Sequence, residues 1–420
     1  MTLELHYGEE KITSTYLDRA EILALEDRDV GDLQPDLLYR LRFEEHFGEE
    51  GFPEIISGKE NIGLVINDRD RPTPSYIAVE HMLGFRGFND KVGRVHIATG
   101  SHSGQTDEDL RILLRGAYEI FRDRVHIHSA RDRDSHIPYG RTSRGTDLLF
   151  DRELEDHDLL VLINSVEPHY FAGFTGGRKS IIPGMAHFDT IEKNHSHALS
   201  EGSKTLGLAG NPVHEDMVEA AHIYIDSRDH ISIQMVQGPG KVLTDVKFGD
   251  LFDSFDRAVS SSLGRFCIPV QGEFDIVVSV AASPMDRTLY QAQKAIENGK
   301  IVLRDGGVMI LVAACSDGIG QSAFWDLLTM YRDPESILRT IDNCYVLGYH
   351  KAAKIVQLTR RAHLFTVSKI GPEELEKGFI KGYSDLDSSM KDAIKITGEN
   401  PRVLVIPEGT VTVPHRHDPC

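Results

Sequence analysis

The sequence predicts an α/β protein built from two α/β domains, with the active site in the cleft between them. Three observations carry that expectation. Short apolar runs at 62–66, 95–98 and 159–163 have the length and composition of buried strands, and stretches of helical periodicity alternate with them. After Gly264 the alternation starts afresh, with strands over 275–280 and 307–312 and helices over 287–298 and 322–331. A chain of 420 residues is also long enough for more than one hydrophobic core.

Taken in order, the helical stretches 108–117 and 213–221 follow Thr106 and Asn211, whose side-chain oxygens suit the amides of a first helical turn. Pro269, Gln271 and Gly272 then break the periodicity and set a boundary near 270–273. The expected division is an N-terminal domain over 1–270 and a C-terminal domain over 271–400. Residues 401–420 read as a strand and tail open to a return onto the first domain.

A formal net charge of −19 leaves no general excess of cationic surface for a phosphate backbone, so nucleic acid is not an expected partner. The opening MTLELHYGEEK lacks the basic start and apolar stretch of a signal peptide, and no later apolar run is long enough to span a bilayer. A soluble, cytoplasmic protein with no membrane partner is expected. Cys267, Cys315, Cys344 and Cys420 are dispersed, without the spacing of a disulfide framework or a zinc finger. The 20 histidines direct attention to proton and metal chemistry.

The densest signal is EPHYFAGFTGGRKS, residues 167–180, which sets His169, a glycine-rich turn and Lys179 side by side. Glycines let backbone and ligand approach closely. The spacing falls one residue short of a phosphate loop, because Arg178 stands where a glycine belongs and would crowd a nest of amides. A second reading makes Lys179 a nucleophile. DRDRPTP, residues 68–74, follows the strand at 62–66, where open α/β sheets present ligand loops. Arg71 suits a substrate carboxylate through bidentate bonds, and Asp68 suits orienting Arg71 or binding a cofactor hydroxyl. Read alone, the segment is better taken as a solvated surface turn of alternating charges.

ATGSHSGQT, residues 98–106, places His102 between small residues after another strand. His102 and His169 follow two strands of one sheet, and such a pair suits a reaction needing a proton acceptor on each side of one carbon. EKNHSH, residues 192–197, offers His195 and His197 as metal ligands without distinguishing them. On the predicted helix over 287–298, Tyr290, Gln291 and Lys294 lie at spacings of three and four and share a face.

Together these segments resemble the nickel-dependent lactate racemase family, which includes racemases and epimerases of other 2-hydroxy acids. The resemblance spans most of the chain. Its pattern has Asp-x-x-Arg-Pro (Asp68, Arg71), Gly-x-His (Gly100, His102), His-Tyr-Phe-Ala-Gly-Phe-x-Gly-Gly-x-Lys-Ser (His169 to Ser180), a later metal-binding histidine (His195) and Tyr-Gln-x-x-Lys (Tyr290, Gln291, Lys294). The resemblance implies an isomerase whose cofactor is a nickel pincer nucleotide, pyridinium-3,5-bisthiocarboxylic acid mononucleotide, joined covalently to Lys179. It implies His195 as the nickel ligand and His102 and His169 as the catalytic acid–base pair. Arg71, Gln291 and Lys294 would hold the substrate carboxylate, with Asp68 and Tyr290 at the cofactor. Cofactor maturation enzymes are implied partners.

Members acting on lactate place a tryptophan of the second domain at the active site, whereas Trp325, the only tryptophan here, falls too early in the chain. Tyr349 or His350 is expected in that region, and malate, aromatic hydroxy acids and sugar acids stay open as substrates. Two other classes compete with the racemase. One is a divalent-metal hydrolase with His102, His169 and His195 as ligands; the other is a non-catalytic carboxylate-binding protein using Arg71 and Lys294.

Overall fold

The computed structural model describes residues 3–25, 33–71, 73–102 and 104–416, without the side chains of Pro239 and Asp342. Pro72, Ser103 and the tail residues 417–420, among them His417 and Cys420, lie outside the described residues. The chain divides into two compact units. One comprises residues 33–265; the other joins residues 3–25 to 266–416.

The 33–265 unit is built on a six-stranded sheet ordered Leu243–Gly249, His230–Gln237, Leu159–Ser165, Ile62–Asn67, Val92–Ala98 and Val125–Ile127. All neighbours run parallel except Leu243–Gly249, which is antiparallel to His230–Gln237. Ile62–Asn67 and Leu159–Ser165 are buried along their whole length, which explains why they read as continuous apolar runs and not as alternating ones. Leu64, Ile66, Val161 and Ile163 pack with Val79 and Phe121 in the core.

The sheet order has a functional consequence. Ile62–Asn67 and Leu159–Ser165 are neighbours, yet the chain leaves the first toward Val92–Ala98 and the second toward His230–Gln237, on opposite sides. That makes a topological switch point, where parallel α/β sheets open a ligand crevice at the carboxyl ends of their strands. The segments containing Asp68, His102 and His169 all leave from those ends.

The other unit carries a wholly parallel sheet ordered Lys381–Tyr383, His363–Val367, Leu303–Val312, Phe274–Val280, Val403–Ile406 and Glu21–Ile22. Leu5, Tyr7 and Leu17 join its core beside Val278, Ile310 and Val405. The N-terminal residues expected in the first domain therefore belong to the second unit, held by strand pairing and apolar burial. The C-terminal strands also stay with this unit, because Val413–Arg416 pairs with Cys267–Val270. The boundary lies near the end of the helix Leu251–Phe266, a few residues before the expected break.

The capping expectations hold. Thr106 and Asp109 form a reciprocal capping box on Asp107–Leu114, and Asn211 caps Pro212–Ile225. Cys267, Cys315 and Cys344 are free thiols. Among the described residues no helix is long and apolar enough to cross a membrane.

Candidate active site

Asp68 follows directly on the strand Ile62–Asn67. Its carboxylate is buried, and its Oδ2 accepts the His102 Nδ1 proton at 2.7 Å, while Asp70 Oδ2 lies 3.5 Å from the same nitrogen. A tight turn brings His102 there, with Gly100 at φ +55° and the His102 amide donating to the Thr99 carbonyl at 3.0 Å. An imidazole whose Nδ1–H is given to a carboxylate keeps Nε2 as an acceptor, the state a general base needs. Asp68 is thus the partner of His102 and not of Arg71, a pairing that sequence spacing does not display. Arg69 pairs with Asp70 and Asp109, whereas Arg71 holds no ion pair among the described residues. The second oxygen of Asp68, Oδ1, is buried with no donor among them.

The glycine-rich loop begins with a two-residue antiparallel ladder, Pro168–His169 against Gly173–Phe174. Gly176 sits at φ +81°, and a Cβ there would lie 2.6 Å from Val166 and 3.0 Å from the Ser165 carbonyl, so only glycine fits. The Arg178 guanidinium fills the loop interior. Fully buried, it donates to the carbonyls of Ala172 at 2.8 Å, Phe174 at 3.0 Å and Gly176 at 3.3 Å, and lies 4.6 Å from the Phe255 ring centre. Burial pushes it down to about 9, with Asp256 opposing. The amides of Phe174, Thr175, Gly177 and Lys179 go to Ala172 O, Glu167 O, Gln234 Oε1 and Gly176 O. A phosphate nest needs such amides open, so the phosphate-loop reading falls.

Phe171 is the residue on which the site groups converge. Its ring centre lies 4.6 Å from that of His169, 5.1 Å from that of His195 and 6.0 Å from the Lys179 Nζ. His169 and Lys179 are both buried. His195 comes from the helix Phe188–Ser196, which Asn194 fastens through the Asp216 carboxylate at 2.8 Å and the Val213 carbonyl at 3.2 Å. Burial first, then the charges of Lys179 and Arg71 and the nearby His102, push His195 down to about 3. A neutral, enclosed imidazole is the form a transition metal takes up.

The two histidines His195 and His197 have different charged surroundings. The charged neighbours of His197 are Asp216, Lys193 and Arg144, not the Lys179 and Arg71 that act on His195. Sequence reading passed over Phe171, although it lies inside the HYFAGF run, and over His214. Burial, then Arg178 and Lys179, hold His214 at about 3. Its signal was a histidine in the first turn of a helix otherwise explained by apolar spacing.

In the other unit, Tyr290, Gln291 and Lys294 lie on the helix Leu289–Gly299, capped by Thr288, whose Oγ1 accepts from the Gln291 amide at 3.3 Å. The three are partly exposed while Ala292, Gln293, Ala295 and Ile296 between and beyond them are buried, so the shared face is the open one. Burial pushes the Tyr290 hydroxyl well above its ordinary range. Lys351, which sequence spacing did not single out, bonds the Tyr290 carbonyl and sits 3.4 Å from its ring centre. His350 is buried with its Nδ1 2.7 Å from the Tyr345 hydroxyl. Trp325 packs inside the unit, its indole N–H donating to Glu374 at 2.7 Å.

Comparison with known proteins gives consistent matches. Residues 7–207 match the lactate racemase N-terminal domain and residues 270–413 the lactate racemase C-terminal domain. The lactate racemase of Lactiplantibacillus plantarum is 29% identical over 378 residues, covering 86% of this chain and 87% of that one. The lactate racemase of Thermoanaerobacterium thermosaccharolyticum is 27% identical over 434 residues, covering 98% of each. The solved structure of a lactate racemase apoprotein from the latter organism superimposes with a TM-score of 0.89 at 24% identity over 99% of this chain and 100% of that one. A Thermotoga maritima crystal structure gives 0.68 at 15% identity, over 88% of this chain and 97% of that one.

Proposed function

The chain belongs to the lactate racemase family and is an isomerase, a racemase, and we propose that it inverts C2 of a 2-hydroxy acid with the help of a lysine-linked nickel pincer nucleotide. The observation that carries this reading is the convergence of His169, His195 and Lys179 on the Phe171 ring. The residues fit the cofactor. Lys179 offers an amine for covalent attachment, His195 a nitrogen for nickel, and the buried Asp68 Oδ1 an acceptor awaiting a donor such as a ribose hydroxyl. When bound, the cofactor supplies an acceptor for the C2 hydrogen as hydride, which avoids a carbanion next to a carboxylate.

The chain's own groups do the rest. Arg71 holds the substrate carboxylate by two parallel bonds, and Gln291 and Lys294 are assigned to the same group. His102, oriented by Asp68, takes the hydroxyl proton through Nε2. His169 handles the proton when the opposite face reacts. The aromatic wall of Tyr170 and Phe171 keeps water from the His169 side.

The hydrolase alternative requires His102, His169 and His195 to share an ion. Among the described residues, the side chains close enough to do so are Asp68, Asp70 and His102, which leaves out the other two histidines. The substrate reading stays at 2-hydroxy acids, and maturation enzymes are proposed partners. The test is protein from a host that carries those enzymes. Its Lys179 peptide should show the cofactor mass, nickel should co-purify, and a chiral assay over lactate, malate, aromatic and sugar acids should show inversion of one class. Active, metal-loaded protein with an unmodified Lys179 would sink the proposal.

A further inference from the structure

Behind the site, the 33–265 unit carries a row of histidines that the mechanism does not use. Rings of His157 and His96, His96 and His126, His128 and His136, and His136 and His187 follow one another at 5.0 to 5.4 Å. The row is interrupted by Asp151, whose Oδ2 accepts from His126 Nε2 and His128 Nδ1, each at 2.8 Å. Both Asp151 and His128 have no exposed side-chain surface. Burial opposes ionisation of Asp151, yet the two imidazole bonds hold its carboxyl far below the usual range. The other nitrogen of His128, Nε2, faces the Ala186 carbonyl at 3.1 Å. Each ring nitrogen of His128 thus has an oxygen acceptor within hydrogen-bond reach.

Three segments of the site are tied to this pair. The Thr99 hydroxyl donates to the His128 carbonyl at 2.8 Å, one residue before the turn that presents His102. The Asp151 amide donates to the Met185 carbonyl at 2.9 Å, and Ala186 receives His128 itself; both lie in the stretch after Lys179, whose own carbonyl accepts from Gly184 at 3.0 Å. The next residue, His187, caps the helix of His195, and its amide donates to Leu149 in the strand that ends in Asp151. A further bond, Gly100 N–H to Gly184 O at 2.9 Å, joins the first segment to the second.

We propose that the buried His128–Asp151 pair is a positioning device that holds the His102 turn, the stretch after Lys179 and the start of the His195 helix in one register. The pair touches neither substrate nor cofactor; it acts through the three loops. The proposal rests on the reading of those three residues as site groups. The competing role is plain stabilisation of the unit.

The two roles separate in the cofactor-loaded full-length protein. His128→Asn keeps a donor toward Asp151 and loses the Ala186 bond, whereas His128→Gln keeps a donor toward Ala186 and loses Asp151. Each should lower kcat about 10- to 100-fold with KM within about twofold. Amide exchange should rise in peptides covering 99–102 and 183–188 and stay unchanged in Ile62–Asn67. Asp151→Asn should raise exchange in the same two peptides. If a His128 variant does not fold, Thr99→Val, which removes a single hydroxyl, should raise exchange at Gly100 and lower kcat less steeply. Uniform loss of protection across the unit with kcat per folded molecule unchanged would overturn the proposal, as would unchanged exchange in both loop peptides. A missing adduct on Lys179 would sink the functional reading and leave the exchange result standing.

Discussion

His102 and the 169–180 loop lie at the ends of neighbouring parts of one sheet, but they are held in opposite ways. His102 is gripped from outside by side chains: Asp68 at 2.7 Å, Asp70 at 3.5 Å, and a turn of two small residues. The 169–180 loop is gripped from inside, wound by its own carbonyls around Arg178, with its amides spent on protein acceptors. A loop organised around an internal cation fixes its main chain and presents Lys179 from a rigid base. A histidine organised by a carboxylate keeps a defined ring orientation while its far nitrogen stays open to exchange protons.

That contrast can be broken in stages. The largest effect is expected for Lys179→Ala: activity falls below detection, the peptide mass loses its adduct, and thermal unfolding stays within a few degrees of the parent, since Arg178 holds three carbonyls of the loop. His102→Ala and His169→Ala should each reduce kcat by about 10²- to 10⁴-fold. Steady-state assays run from each enantiomer would compare the two histidines, and retention of full activity by either variant would remove it from the reaction. Asp68→Asn leaves the ring in place but with a poorer partner, and should cost about 10- to 100-fold in kcat. Asp70→Asn, at the longer distance, should cost less.

The smallest effect concerns stability. His195 and His214 sit at about 3 in the folded chain against 6.5 for an ordinary histidine, chiefly through burial. In that interval the unfolded chain binds more protons than the folded one, so the contribution is present above about pH 6.5 and is lost as the pH falls toward 3. The apoprotein should therefore melt at progressively lower temperature between pH 6.5 and 4, and His214→Gln should flatten part of that slope. A slope unchanged by the substitution would show that His214 does not titrate with unfolding.

Much of this was legible in the chain. Buried parallel strands announce themselves as apolar runs, and Thr106 and Asn211 marked helix starts by hydrogen-bonding capacity alone. Motifs local in sequence, such as His169 to Ser180 or Tyr290 to Lys294, brought their members together because a turn or a helical face does so automatically. What could not be read were pairings made by the sheet. Asp68 reaches His102 only because Ile62–Asn67 and Val92–Ala98 are parallel neighbours ending in register, Asn67 opposite Ala98. Arg178 appeared as an obstruction in a phosphate loop, since nothing in spacing tells whether a guanidinium points out of a loop or into it. Glu21–Ile22 was too short and too polar to read as a strand; its partner Val403–Ile406 defines it.

That last pairing bears on how the protein is made. Glu21 and Ile22 leave the ribosome early, but the strand that receives them emerges roughly 380 residues later, a wait of about 20–80 s at ordinary translation rates. Residues 33–265 meet no such delay, because every strand of their sheet is in hand once that stretch is synthesised. The lysine-bearing half can thus be finished during translation, while the other half must keep its first strand waiting for nearly its last.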